Sequence, residues 1–162
     1  MQRYCYQCMT PLQNAAHCAF CGFDNAARHP ERRAGHLPCG TVLSGRYWLG
    51  RAVGEGGFGV TYSGLHTVLE KRVAVKELFP SGVACRAADA VTVTAAPGNE
   101  ALFCGDLGRF LSEAKIAAAF SGEEGFVSVT DCFRENGTAY LVMDHVDGCT
   151  LKEYVNRSGC FS

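Results

Sequence analysis

A glycine-rich hexapeptide at residues 54–59, Gly-Glu-Gly-Gly-Phe-Gly, lies between two segments that favour β-strands. Arg46–Val53 before it is rich in aromatic and branched side chains, and Val60–Tyr62 after it has the same character. Glycine lets the backbone approach a phosphate group closely because no Cβ intervenes, and the amides of such a turn can donate hydrogen bonds to phosphate oxygens. The pattern predicts a strand, a phosphate-binding turn and a second strand.

The glycine spacing has a second interpretation. G-x-G-x-x-G also marks dinucleotide-binding folds, in which a helix follows the glycines and binds the pyrophosphate at its amino terminus. In this chain a strand-like segment follows instead, which favours the hairpin. Glu77 lies near the sequence distance at which the dinucleotide fold places its ribose-binding acid, so the alternative stays open at this level.

A third strand is predicted at Arg72–Lys76, where branched residues alternate along the chain. Strand alternation places Val73 and Val75 on one face and Ala74 and Lys76 on the other. A small residue beside a lysine suits a flat ligand above the alanine and an anionic group near the ammonium. The alternative is a surface lysine, which strands often carry.

One helix is expected downstream, with Asp106 as its amino-terminal cap and its end near Phe120. Its apolar stripe is formed by Phe110, Ile116, Ala117 and Phe120. Glu113 falls on the same stripe, and a carboxylate that faces a core is costly unless a cation pairs with it. We expect Lys76 to be that cation, with the two charged groups within about 4 Å. The alternative places Glu113 in water at the margin of the stripe.

The last predicted strands are Phe126–Phe133 and Thr138–Asp144, joined by a turn that contains Asn136-Gly137. Asn-Gly between apolar segments is a strong hairpin signal. Hydrophobic residues make up 48% of the chain, enough to bury a core. The expected fold is therefore α+β, with a five-stranded antiparallel sheet and one helix.

Two C-x-x-C pairs at the amino terminus, Cys5/Cys8 and Cys18/Cys21, are separated by nine residues. A short hairpin can bring the pairs together into a tetrahedral site of four sulfurs, which suits zinc and leaves no open position for chemistry. Redox thiols are the alternative, but a thioredoxin-type pair needs a strand-to-helix context that is lacking here. The sequence predicts a structural zinc site.

This cysteine-rich segment resembles a zinc ribbon. Gly22 follows the second pair as expected, whereas Met9 stands where the first pair would typically be followed by glycine. His17 could substitute as a ligand, although four cysteines already complete the shell and an exposed loop histidine explains it better. So short a segment has almost no core, so metal binding must supply most of its folding free energy.

Together, the glycine-rich hairpin, the strand that carries Lys76, the acidic helix and the final hairpin resemble the amino-terminal lobe of protein kinases over residues 45–154. The similarity is to bacterial serine/threonine kinases with an amino-terminal zinc ribbon. The resemblance implies a zinc ribbon at 1–25, a linker at 26–44, and a kinase amino-terminal lobe, hinge and start of the second lobe at 45–162.

The resemblance also implies functions for individual residues. Lys76 would hold the α- and β-phosphates of ATP and be oriented by Glu113, as the catalytic ion pair. Met143 would be the gatekeeper, the backbone of Asp144 and Val146 would bind adenine, and Thr150 would lie near the ribose. The implied nucleotide-binding residues are Val53, Gly54, Glu55, Gly56, Gly57, Phe58, Gly59, Thr61, Ala74, Lys76, Met143, Asp144, Val146 and Thr150.

The sequence departs from the kinase pattern in several ways. Thr61 stands where valine is common, and an insertion at 79–104 separates Lys76 from Glu113. No H-R-D-x-x-x-x-N, D-F-G or A-P-E motif is present, so the catalytic aspartate and the magnesium ligands are lacking. We expect that the carboxy-terminal lobe is missing and that this chain alone is inactive, whereas a full-length form would use ATP and magnesium to phosphorylate protein serine or threonine. The alternative is a non-catalytic adaptor with a zinc ribbon and a nucleotide-binding lobe.

Charge and hydropathy exclude other function classes. The net charge of −1 and the lack of interleaved basic and aromatic residues argue against nucleic acid as a partner. No apolar run is long enough to span a bilayer, and the amino terminus lacks the apolar core of a secretory signal. We therefore expect ATP and protein substrates as partners, no membrane contact in this segment, and a cytoplasmic location.

Overall fold

The chain folds into a small cysteine-rich module and a larger lobe built on one antiparallel sheet. The computed structural model describes residues 3–13, 16–26, 35–149 and 151–158. The elements are β1 (Arg3–Tyr4), β2 (Pro11–Leu12), β3 (Val42–Leu43), β4 (Tyr47–Gly56), β5 (Gly59–His66), β6 (Lys71–Leu78), β7 (Ala84–Arg86), β8 (Val93–Ala95), α1 (Glu100–Ala119), β9 (Val129–Glu135), β10 (Thr138–Asp144) and α2 (Leu151–Ser158). Neither α1 nor α2 is long and apolar enough to cross a membrane, and the described residues contain no other α-helix.

The main sheet has six strands in the order β3-β4-β5-β6-β10-β9, all antiparallel. The glycine-rich turn joins β4 to β5, and Asn136-Gly137 joins β9 to β10. The α+β class and the five predicted strands are confirmed, and the two-residue strand β3 extends the sheet beyond β4. Because a strand follows the glycines, the dinucleotide-binding alternative is wrong.

Alternation along β6 separates two environments. Val73 and Val75 are fully buried on one face of the sheet, in a cluster that includes Tyr62 and Val142. Ala74 and Lys76 are half-buried on the opposite face, which confirms the predicted alternation. This second face carries Lys76 towards α1.

The helix differs from its prediction at its start and in its buried face. It begins at Glu100, with Asn99 as its cap, so Asp106 lies inside the helix. The buried side chains are Phe103, Asp106, Phe110 and Ala114, whereas Ile116 and Phe120 are exposed. Burial of Phe103 beside Leu78 stabilises the extra turns, although Gly105 and Gly108 lower their helix propensity.

The expected linker at 26–44 was too long at its carboxy-terminal end. Leu37 and Leu43 belong to the main core, and Leu43 also lies in β3. These leucines have no periodic spacing, because Pro38 and Gly40 turn the chain between them, so the pattern was not visible in the sequence. Residues from Leu37 onward therefore pack with the sheet, although the linker was expected to extend to residue 44.

The insertion at 79–104 is held to the sheet by a buried ion pair. It contains the β7–β8 hairpin, and Arg86 of β7 donates to both carboxylate oxygens of Glu77, at 2.8 and 2.7 Å. Tyr62 and Tyr140 also donate to Glu77, at 3.0 and 3.1 Å. Burial first, and then the Glu77 charge, raise the pKa of both tyrosines, so their hydroxyls stay protonated as donors.

We predict that Arg86→Met destabilises the protein by about 3–5 kcal/mol, because it leaves the Glu77 carboxylate buried without its cation. Arg46→Met is the matched control. Arg46 pairs with Asp131 at 2.7 Å on the surface, so its loss changes stability far less. Urea unfolding followed by tyrosine and tryptophan fluorescence measures both. Equal effects of the two substitutions would contradict this assignment.

Candidate nucleotide site and metal centre

The four predicted cysteine ligands converge in the amino-terminal module. The sulfur atoms of Cys5, Cys8, Cys18 and Cys21 all lie within 4.8 Å of one another. Two Sγ–Sγ separations are 3.7 Å, for Cys5 and Cys21, and 3.6 Å, for Cys8 and Cys18. A tetrahedral zinc site with Zn–S bonds of about 2.3 Å has edges of roughly 3.8 Å, so the geometry fits zinc.

The two C-x-x-C turns have the same backbone structure. The Met9 amide donates to the Cys5 carbonyl at 3.0 Å, and the Gly22 amide donates to the Cys18 carbonyl at 2.8 Å. Met9 and Gly22 both have positive φ, of 62° and 73°. The His17 Nε2 atom lies 3.5 Å from the Asp24 carboxylate, and His17 is not part of the four-sulfur cluster. Each C-x-x-C turn therefore presents two sulfurs to a shared centre.

The pKa values of two of the four thiols shift in opposite directions. Burial raises the pKa of Cys21 to about 12. Burial also opposes ionisation of Cys8, but its hydrogen bonds with Thr10 outweigh this effect and lower its pKa to about 7. Zinc needs thiolates, so metal binding releases protons from this cluster.

We predict about one zinc per chain by elemental analysis, since four thiolates complete a tetrahedral shell. Cys5→Ser or Cys21→Ser should abolish retention of the metal. Cys85→Ser, which changes an exposed cysteine outside the module, should not. A module at residues 3–26 that is folded without metal would contradict the prediction.

The glycine-rich turn is hydrogen-bonded to the segment after β6 and has open space at two of its glycines. Phe79 and Ser81 donate their amides to the carbonyls of Phe58 and Gly57, at 3.2 and 3.1 Å. A Cβ on Gly59 would collide with the Glu77 carbonyl, so glycine is required there. A Cβ on Gly56 or on Gly57 would meet no atom within 4 Å, so this side of the turn has room for a ligand.

A cavity of about 200 Å³ lies between the glycine-rich turn, β6 and α1. Its lining residues are Phe58, Lys76, Leu78, Asp106, Arg109, Phe110 and Glu113. The Lys76 ammonium lies 5.9 Å from the centre of the Phe110 ring. The cavity therefore brings the cations of Lys76 and Arg109 and the carboxylates of Asp106 and Glu113 close to the glycine-rich turn.

The predicted contact between Lys76 and Glu113 is not formed. Both line the cavity, so the helix presents Glu113 towards Lys76, but no ion pair joins them within about 4 Å among the described residues. Glu113 is largely exposed, and the buried carboxylate on this face is Asp106, which pairs with Arg109. The cause is the phase of α1, whose buried side runs through Phe103 and Phe110.

Asp106 and Arg109 were not predicted as cavity residues. In the sequence Asp106 has the features of a helix cap, and Arg109 carries no signal of its own. Once the helix is known to begin at Glu100, the spacing of 106, 109, 110 and 113 places all four residues on one face. The helix start concealed only Asp106, because the predicted helix up to Phe120 already contained Arg109 at a spacing that places it beside Phe110 and Glu113.

The expected hinge follows β10. Strand pairing sets Met143 beside Ala74 and Leu141 beside Lys76. Asp144 donates its amide to the Ser128 carbonyl at 2.9 Å, and its side-chain carboxylate pairs with Lys71 at 2.7 Å. Arg72 contacts Asp147 at 3.0 Å and His145 at 3.1 Å in the segment beyond β10.

Other predicted contact residues frame the same face. Thr61 pairs with Lys76 across β5 and β6, which places the two side chains next to each other on one face. Val53 and Val146 are exposed, as ligand-facing positions would be. Glu55, predicted as a nucleotide-binding residue, lies instead on the opposite face, because it pairs with Val60 of the core, and its carboxylate is 3.4 Å from His36 Nε2. Thr150 lies outside the described residues.

No family model matches the chain. The serine/threonine-protein kinase PrkC of Bacillus subtilis is 32% identical over 120 residues, which are 74% of this chain and 16% of that protein. PknA of Mycobacterium tuberculosis is 32% identical over 131 residues, covering 76% of this chain and 25% of that protein. The solved structure of PpkA-294 in its apo form matches with a TM-score of 0.71 and 31% identity, over 77% of this chain and 44% of that one.

The larger lobe thus has the fold of a protein-kinase amino-terminal lobe. The chain is a relative of bacterial serine/threonine protein kinases, which confirms the resemblance indicated by its motifs. It spans 16% of PrkC and 25% of PknA, so the similarity concerns a limited part of each relative.

Proposed function

We propose that residues 35–149 form the ATP-binding lobe of a serine/threonine protein kinase, and that the full-length protein transfers the γ-phosphate of ATP to protein substrates. The observation that carries the proposal is the position of Lys76. It stands on the open sheet face below the glycine-rich turn and faces the carboxylates of α1. This geometry supplies a cation where a phosphate group would lie against the turn amides.

The adenine would occupy the same sheet face, further from the turn. Val53, Thr61, Ala74 and Met143 would enclose it, and the carbonyl of Asp144 and the amide of Val146 would recognise its edge. The pairing of Met143 with Ala74, and of Thr61 with Lys76, supports this arrangement because it sets these side chains side by side. The rest of the cleft would come from a second lobe.

Glu113 would orient Lys76 once nucleotide is bound. Both groups line one cavity, and a movement of α1 that carries Glu113 towards β6 would bring them together. Phosphate binding draws the Lys76 ammonium towards the turn, and a carboxylate beside it keeps its position fixed. Asp106 is held by Arg109, which leaves Glu113 as the available carboxylate of the helix face.

We predict that Lys76→Ala weakens binding of magnesium-ATP to the 162-residue chain by about tenfold or more, because a hydrogen bond to a charged group contributes about 1.5–3 kcal/mol. Titration with a fluorescent ATP analogue measures the dissociation constant. Lys115→Ala is the control, since Lys115 lies on α1 outside the cavity. Unchanged affinity in Lys76→Ala would contradict the phosphate-binding assignment.

We further propose that the polypeptide Met1–Ser162 alone does not phosphorylate protein. The sequence supplies no hydroxyl-orienting aspartate and no D-F-G aspartate for magnesium, so bound ATP would be positioned but not activated. Transfer of labelled phosphate to a generic protein substrate should equal the background, with and without Lys76→Ala. Turnover that Lys76→Ala abolishes would show that a catalytic group is present in these residues.

A further inference from the structure

The cysteine-rich module is packed against the lobe that it precedes. Tyr6 stacks on Trp48 of β4, with ring centres 5.2 Å apart and planes at 11°. Tyr4 meets the same indole edge-on at 5.5 Å. Met9 and Leu65 complete this buried cluster. The module and the sheet therefore share a hydrophobic interface.

A backbone contact fixes this interface to β4. The Tyr6 carbonyl accepts hydrogen bonds from the Arg51 amide at 3.0 Å and from the Ser63 hydroxyl at 3.1 Å. A Cβ on Gly50 would collide with that carbonyl and with the Met9 methyl group, so only glycine allows the approach. We call Trp48, Gly50, Ser63 and Leu65 the docking face.

Tyr6 is held equally firmly from the side of the module. It lies between the ligands Cys5 and Cys8, and its amide donates to the Asn25 side chain at 2.8 Å. Asn25 in turn donates to the Phe23 carbonyl at 3.1 Å, beyond the second C-x-x-C pair. The peptide group that contacts β4 is thus positioned by the fold around the four sulfurs.

Met9 explains why the first C-x-x-C turn departs from the usual ribbon pattern. A non-glycine residue in the left-handed region costs about 1–2 kcal/mol. Gly22 holds the matching place in the second turn, where a Cβ would meet nothing within 4 Å. Met9 instead is 4% exposed and packed into the docking interface. Its burial against the lobe offsets the backbone cost, so this turn is specialised for docking.

The docking face lies on the side of the sheet that would bind nucleotide. Ser63 pairs with Ala74, and Thr61, two residues along β5, pairs with Lys76. Arg51, whose amide bonds to Tyr6, is three residues before Gly54 of the glycine-rich turn. The contact therefore constrains β4 and β5 immediately beside the proposed adenine site.

We infer that the cysteine-rich module stabilises the glycine-rich strands. Metal held by the four cysteines keeps Tyr6 and Met9 in position, and their contacts limit the motion of β4. Loss of the metal releases β4 and weakens nucleotide binding at the site beside it. The effect on nucleotide rests on the proposed function, whereas the effect on β4 does not.

The direct test is amide hydrogen exchange by NMR in the full 162-residue chain, with zinc bound and after chelation. The Arg51 amide should exchange at least about tenfold faster without metal, because its acceptor is the Tyr6 carbonyl, while Val75 and Val142 in the core change much less. Equal exchange of the Arg51 amide in the two states would overturn the inference.

Met9→Gly separates docking from metal binding. It keeps the four cysteines and suits the left-handed backbone, so zinc content should stay the same while Arg51 exchange rises several-fold. Gly22→Asn is the matched control in the second turn and should change neither quantity, since asparagine tolerates that backbone. Slow Arg51 exchange in zinc-loaded Met9→Gly would overturn the role of Met9.

Nucleotide titration of the same variants distinguishes the two proposals. A several-fold weaker affinity in Met9→Gly supports the coupling to the site. Faster exchange with unchanged affinity would overturn that coupling. A wild-type chain that binds no ATP would overturn the proposed function, and the exchange data would still decide whether the cysteine-rich module stabilises β4.

Discussion

The lobe depends on one buried carboxylate. Glu77 at the end of β6 has no solvent exposure, and its charge is balanced by Arg86 and by the hydroxyls of Tyr62 and Tyr140. Arg86 also donates to the carbonyls of Gly35 and Val91. An unpaired charge in this position would cost several kcal/mol, so the segment at residue 35, the β7–β8 hairpin and the sheet must assemble together.

The sheet keeps this structural charge apart from the one proposed to bind phosphate. Glu77 and Lys76 are neighbours in sequence, but strand alternation sends them to opposite faces. The Glu77 face is closed by the core, while the Lys76 face opens to the cavity beneath the glycine-rich turn. Adjacent residues thus lie in different environments, Glu77 in the closed core and Lys76 at the cavity.

The amino-terminal module packs against the same sheet. The sequence presents it as a separate unit before a linker, yet Tyr6 and Met9 bury Trp48 and reach the backbone of β4. At this contact the lobe has Gly50, where a Cβ would collide with the Tyr6 carbonyl and the Met9 methyl group. The four-cysteine cluster is far from the glycine-rich turn in sequence, yet the residues around it contact the strand that carries the turn.

Features that depend on local chemistry could be predicted from the order of the residues. The alternation of β6, the glycine-rich turn, the Asn136-Gly137 hairpin and the two C-x-x-C pairs follow from side-chain period, turn preference and ligand spacing. The assembled fold set the start of α1, the pairing of Glu77 with Arg86, the separation of Lys76 from Glu113 and the docking of Met9. Each of these depends on packing between segments, and the free energy of such packing is not visible in any local pattern because it belongs to contacts that form only when the sheet is complete.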